Sequence, residues 1–168
     1  MANDENSVYL RVEWSDVEFQ CRYIYESMLL KNYKPDCIIG LTRGGVIPAR
    51  ILADILGISD NFHFMDVRFY NGVNDRKEHP VIRNIDDHFT DSMFDKKIIV
   101  VDDIWDSGKT MIAVTEYLKK MGLRNFCTAT LFWKEVTENK PDYYAQTAKK
   151  NEWVRFPWEK YEFEKIKD

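Results

Sequence analysis

No apolar run in this chain approaches the length of a membrane span, so a membrane-crossing helix is not expected. Nor is there an excess of positive charge. Lys and Arg number 24 against 28 Asp and Glu, a net charge of −4. Non-specific nucleic-acid binding wants a basic patch, and clusters such as Lys149-Lys150 are too short to supply one. Cysteine is scarce. Cys21, Cys37 and Cys127 are odd in number, far apart and set in apolar periodic segments, where a disulfide framework or zinc site would need tighter spacing. They read as core thiols of a reducing compartment. The three histidines, His63, His79 and His88, lack metal-ligand spacing. The opening MANDENS is polar and acidic, unlike a signal peptide. There is no internal repeat, low-complexity segment or linker. These absences predict a cytoplasmic protein that engages neither membrane nor nucleic acid.

What is present suits one domain. The 168 residues are 45% hydrophobic and 31% charged, enough for a sizeable core. Ser15 to Glu18 is a capping-box pattern, and Val17, Cys21, Ile24 and Met28 recur at helical spacing, which predicts a helix over 15–31. A short strand over 36–42 is followed by an Arg43-Gly44-Gly45 turn. A second helix carries Pro48, Ile51, Leu52, Ile55 and Leu56 on one face and stops at Gly57. Residues 62–70 look extended, Asn71-Gly72 signals a turn, 74–79 are charged, and 81–85 read as a strand. Strands over 97–102 and 125–133 flank a third helix marked by Met111, Val114, Leu118 and Met121 and closed by Gly122. Strand-helix alternation predicts an α/β fold, a parallel sheet with helices on both faces, interrupted by an irregular insert at 66–95. Ligands of such sheets bind outside the carboxyl ends of the strands, where 42–45 and 102–110 fall.

The stretch Ile98-Ile-Val-Val-Asp-Asp-Ile-Trp-Asp-Ser-Gly-Lys-Thr110 runs from a buried strand into three acids and then small donors. A P-loop would need a glycine five residues before Gly108, where Asp103 stands, and carboxylates are electrostatically wrong beside polyphosphate. Simple helix capping would use Ser107 or Asp106 alone and leaves Asp102-Asp103 unexplained, since charge after a buried strand is costly. A ribose phosphate site uses every polar residue. The amides at the start of the third helix, with the Ser107 and Thr110 hydroxyls, hold a phosphate. Asp102 and Asp103 accept from ribose hydroxyls, one of them helping to hold a divalent cation, and Asp106 faces whatever reacts at the sugar.

This stretch resembles the phosphoribosyl-pyrophosphate motif of the type I phosphoribosyltransferases. Two further segments agree. Leu41 to Gly45 is similar to the family's pyrophosphate loop, and Glu152-Trp-Val-Arg-Phe-Pro-Trp-Glu159 is similar to the base-binding hood of its xanthine-guanine and hypoxanthine group. The resemblance implies a twisted parallel sheet in a single domain, with a core over about 15–135 and a small C-terminal hood over about 136–168. It implies transfer of the 5-phosphoribosyl group from phosphoribosyl pyrophosphate to N9 of hypoxanthine, guanine or xanthine, in purine salvage, with Mg2+. Asp102, Asp103, Ser107, Gly108, Lys109 and Thr110 would bind the ribose 5-phosphate, with Asp103 on the metal. Thr42, Arg43, Gly44 and Gly45 would bind pyrophosphate, with a cis peptide between Thr42 and Arg43. Ile104, Lys134, Trp153 and Val154 would bind the base, and Asp106 would be the general acid or base. A homo-oligomer, dimer or tetramer, is also implied. Three questions stay open here. The insert at 66–95 is either a lid or an ordinary hairpin. Trp105 stands where the family has a smaller aliphatic residue and either narrows the pocket or is buried under the loop. Phe156 and Trp158 either serve the hood or pack on the core. The rival functions are a non-catalytic sensor with the same fold and a transferase for a pyrimidine or adenine.

Overall fold

Ile38 and Ile39 are neighbours in sequence, and both are fully buried. In a strand they point to opposite faces, so the sheet that holds them needs cover on both sides. The computed structural model, which describes residues 8–71, 78–84, 93–136 and 138–164, supplies that cover. In chain order the elements are β1 (Val8–Arg11), α1 (Trp14–Leu30), β2 (Cys37–Thr42), α2 (Val46–Leu56), β3 (Phe62–Asn71) and β4 (Glu78–Asn84). There follow β5 (Ile98–Trp105), α3 (Lys109–Lys120), β6 (Phe126–Lys134), β7 (Tyr143–Ala148), β8 (Glu152–Arg155), a 3-10 turn (Pro157–Glu159) and α4 (Lys160–Glu164).

The main sheet has the order β4-β3-β2-β5-β6-β7, parallel except for the β3–β4 pair. Alternation along each strand sorts its residues into two cores. Ile38, Ile99 and Val101 join Val17, Cys21, Ile24 and Met28 of α1 and Ala49, Leu52 and Ala53 of α2. Cys37, Ile39, Ile98 and Val100 join Met111, Val114 and Leu118 of α3 on the other face. All three cysteines are buried free thiols. Burial pushes each of them up to about 12, so none is poised as a thiolate near neutral pH.

Several boundaries differ from the sequence expectation. α1 begins at Trp14 rather than Ser15, because Asp16 accepts from the Glu13 amide at 2.8 Å and sets the start there. β4 begins at Glu78, inside the charged stretch, because its ladder with β3 runs to the Asn71–Glu78 pair. The insert is therefore an antiparallel hairpin in its described arms; residues 72–77 and 85–92 lie outside the described residues. The sheet also extends beyond residue 135, since β7 adds to β6 with Tyr143 opposite Ala129. β1 and β8 form a separate two-stranded parallel sheet, which with α4 makes the hood. Among the described residues no helix is long and apolar enough to cross a membrane.

The order β3-β2-β5 reverses the direction of winding at β2. The carboxyl ends of β2 and β5 thus face the crevice where open α/β sheets bind ligands.

Candidate active site

The acid motif does not begin a loop at Asp102, as the sequence suggested. β5 continues to Trp105, because β6 pairs with it throughout: Asp102 faces Thr130, Ile104 faces Phe132 and Trp105 faces Trp133. Only Asp106, Ser107 and Gly108 are loop, and α3 starts at Lys109. Gly108 takes a left-handed φ of 78°, and a Cβ on it would collide with the Trp105 indole packed beneath. Trp105 is only 6% exposed, so its bulk supports the loop from below.

A cavity of about 200 Å³ opens here, lined by Asp102 to Gly108, Thr110, Met111 and Thr130. It gathers the expected Asp102, Asp103, Ile104, Asp106, Ser107, Gly108 and Thr110. Lys109 does not line it; its side chain is exposed at the first position of α3. The Thr130 hydroxyl donates to the Phe132 carbonyl at 2.8 Å and so serves the strand end.

The second loop lies directly against the acids. The Thr42–Arg43 peptide is cis, as the resemblance implied. The Thr42 hydroxyl donates to Asp66 at 3.0 Å, which ties the loop to β3. A Cβ on Gly44 would strike the Asp103 carboxylate, and one on Gly45 would come within 2.8 Å of both the Asp102 Cα and the Leu41 carbonyl oxygen. Contacts below 3 Å are not available to real Cβ atoms, so only glycine lets this loop lie against the end of β5. Arg43 points outward and pairs with Glu162 of α4 at 2.8 Å.

The electrostatics of this junction are strained toward neutrality. Burial first, and the charge of Asp103 second, hold Asp102 well above the ordinary carboxylate range, against the Gly45 amide that donates to it. Burial first, and the negative charge of Glu159 second, push Asp103 from the usual 3.8 up to about 6. Glu159 belongs to the hood, where its carboxylate also accepts from the Phe156 amide at 3.0 Å. Sequence reasoning missed it; the signal was a carboxylate at the end of a hood segment already singled out. A raised carboxyl pKa means that the folded chain holds more protons than the unfolded chain between about pH 4 and 6. Asp103 therefore costs stability increasingly as pH rises through that window. Asp103→Asn should raise the melting temperature at pH 7 in the presence of a chelator and give no gain at pH 4. Thermal unfolding at the two pH values checks this; an equal gain at both would show that charge is not the cause.

Lys134 ends β6 and is 9% exposed. Its Nζ meets the Asp106 carboxylate at 3.2 Å. A donor and an acceptor thus stand side by side; Asp106 lines the cavity and Lys134 does not. Trp153 and Val154 do not line that cavity. They lie in the hood, with Trp153 half exposed and Val154 buried. The hood reaches the same end of the sheet through Phe156, whose ring meets that of Phe132 edge-on at 5.9 Å, and the charge of Glu159 is felt at Asp103. Phe156 in turn stacks on Trp158 at 4.7 Å, so these two aromatics anchor the hood to the core.

The Val12 amide donates to the Arg155 carbonyl, and the Val8 amide to the Asn151 carbonyl. Backbone groups alternate sides along a strand. The carbonyl of Val154 is therefore directed away from β1, onto the other edge of β8.

Comparisons with known proteins agree with this geometry. The profile of the phosphoribosyl transferase domain matches residues 13–162. A xanthine-guanine phosphoribosyltransferase of Ruegeria sp. (strain TM1040) is 30% identical over 157 residues, 88% of this chain and 84% of the relative. One from Gluconobacter oxydans (strain 621H) is 29% identical over 153 residues, 90% of this chain and 84% of the relative. The crystal structure of a purine phosphoribosyltransferase from Pyrococcus horikoshii Ot3 superposes with a TM-score of 0.71 at 38% identity, covering 89% of this chain and 93% of that one. The match of the domain profile spans nearly the whole fold and takes in both the glycine loop and the acid-lined cavity at the switch point, so the chain belongs to the phosphoribosyl transferase domain family.

Proposed function

We propose that this protein transfers the 5-phosphoribosyl group from phosphoribosyl pyrophosphate to N9 of a 6-oxopurine (hypoxanthine, guanine or xanthine) and releases pyrophosphate, in purine salvage. The observation that carries the choice of base is the Lys134–Asp106 pair at 3.2 Å. Oxygen 6 and nitrogen 7 lie on one edge of an oxopurine. An ammonium only donates, so Lys134 suits the O6 carbonyl and leaves an adenine amino group unpaired. Asp106 then faces N7 and exchanges the proton there. The relatives named above support the same reading. The pair also favours catalysis over a sensor, since a sensor needs no proton acceptor beside the base.

The amides of Ser107 to Thr110, with the Ser107 and Thr110 hydroxyls, hold the 5′-phosphate. Asp102 and Asp103 accept from the ribose hydroxyls. Gly44, Gly45 and Arg43 take the pyrophosphate, Arg43 on release from Glu162. The carboxylates of Asp103 and Glu159, hard oxygen donors whose charges repel across this junction, would hold Mg2+. When bound, the ion would neutralise the leaving pyrophosphate. Trp153 stacks on the purine with Ile104 on its other face, and the outward Val154 carbonyl accepts from a 2-amino group. We further place the protein in the cytoplasm as a homo-oligomer, dimer or tetramer, an assembly for which exposed Phe19 and Leu30 of α1 offer apolar surface.

The deciding experiment is a base panel with phosphoribosyl pyrophosphate and Mg2+, following nucleotide formation. Oxopurines should react well above adenine and pyrimidines. Adenine turned over as fast as the best oxopurine would defeat the assignment of the base, and no product from any base would favour the sensor. Thr110→Val should weaken phosphoribosyl-pyrophosphate binding by about 1.5–3 kcal/mol, the scale of a hydrogen bond to a charged group. Calorimetry showing unchanged affinity would remove that hydroxyl from the site.

A further inference from the structure

Among the described residues, the segment that carries Trp153 and Val154 has a single ladder partner. There β8 pairs with β1 alone, a four-residue strand near the other end of the chain. Two-stranded sheets this short are marginal by themselves, so the conformation of β8 depends on what β1 contributes. The register is explicit: Tyr9 lies opposite Trp153, Leu10 opposite Val154 and Arg11 opposite Arg155. Paired residues of parallel strands share a face. Leu10 therefore follows Val154 inward, packed against the core that contains Val154 and Phe156. Tyr9 stays outside with Trp153, and the two are 56% and 52% exposed. The Arg155 guanidinium lies over the Tyr9 ring, 3.6 Å from its centroid. This contact ties the two strands together on the outer face, as Leu10 does on the inner one. β1 also occupies one edge of β8, and the Val154 carbonyl is turned to the other.

We propose that Tyr9, with strand β1, is a positioning residue for base recognition. Its ring clamps Arg155, and its strand holds β8 in the register that presents Trp153 and the Val154 carbonyl to the purine. The inference rests on the phosphoribosyltransferase reading above and adds a determinant from outside the loops that bind substrate.

Steady-state kinetics on the full chain tests it. Tyr9→Ala should raise the KM for hypoxanthine and guanine about three- to tenfold, the range of a partly desolvated cation–π contact. The KM for phosphoribosyl pyrophosphate and kcat should stay within about twofold, because the cavity at the end of β5 is untouched. Tyr9→Phe keeps the ring and should restore the wild-type purine KM. An unchanged purine KM in Tyr9→Ala, a parallel loss for both substrates, or failure of Tyr9→Phe to restore it overturns the proposal. If Tyr9→Ala does not fold, hydrogen exchange on the wild type decides. Guanosine monophosphate should protect amides of both 8–11 and 152–155 beyond the protection given by ribose 5-phosphate. Equal protection by the two ligands at 8–11 overturns the proposal. A wild type that makes no nucleotide from any purine fails at the earlier step and overturns the reading beneath it, which separates the two failures.

Discussion

Asp106→Asn is expected to lower turnover by about 10²- to 10⁴-fold, the usual contribution of a positioned general acid or base. The substitution keeps the size of the side chain and a hydrogen-bonding oxygen toward Lys134, but it cannot take the proton at N7. Affinity for phosphoribosyl pyrophosphate should change little, because phosphate and ribose are assigned to Ser107 to Thr110 and to Asp102 and Asp103. The fold should survive as well. The Asp106 side chain is 63% exposed, so its ion pair with Lys134 is worth at most about 1 kcal/mol. Rapid-quench or steady-state rates, beside calorimetric binding of phosphoribosyl pyrophosphate, check the split. Asp103→Asn should give the opposite pattern, with a raised requirement for Mg2+ and cosubstrate. If both variants show the same kinetic pattern, the acids do not divide the work as assigned.

The second large effect concerns selectivity. Lys134→Ala should erode the preference for oxopurines over adenine, a preference that a site built to hydrogen-bond one group can hold at up to about 10⁴-fold. Lys134 is nearly buried at the end of β6, so little water is present to replace the donor it loses. Competition between hypoxanthine and adenine, read as the ratio of kcat/KM, measures the loss. Trp153→Ala is the control. It should weaken all purines together, since stacking does not read exocyclic groups. A ratio unchanged in Lys134→Ala would remove the lysine from base reading even if the activity is as proposed.

Local chemistry made much of this legible in the sequence. The stripe Val17, Cys21, Ile24 and Met28 announced α1, and Gly57 in a left-handed conformation stops α2 as its position suggested. The acid spacing from Asp102 to Asp106 and the small donors after it lie on consecutive residues, so their order alone carried the ligand chemistry. The failures were of another kind. The apolar pattern of β5 stops at Asp102, where charge begins, yet ladder bonds to β6 carry the strand to Trp105. β1 has four residues and takes its ladder from β8, and β7 is set by its pairing with β6 and by the burial of Tyr143 and Ala148, none of which is local to either strand.

By itself, then, the sequence determined the period of each buried element, the turn glycines and the content of the phosphate loop, because these depend on neighbours within a few residues. Only the tertiary structure decided which distant groups share a space. It set Lys134 against Asp106, brought the charge of Glu159 to bear on Asp103, and placed the Asp103 carboxylate on the bare backbone of Gly44 and Tyr9 beside Trp153. None of these pairs has a local signature. Each arises because strands pair and cores pack across long stretches of chain, and it is there that the burial and like charge at Asp103 come from.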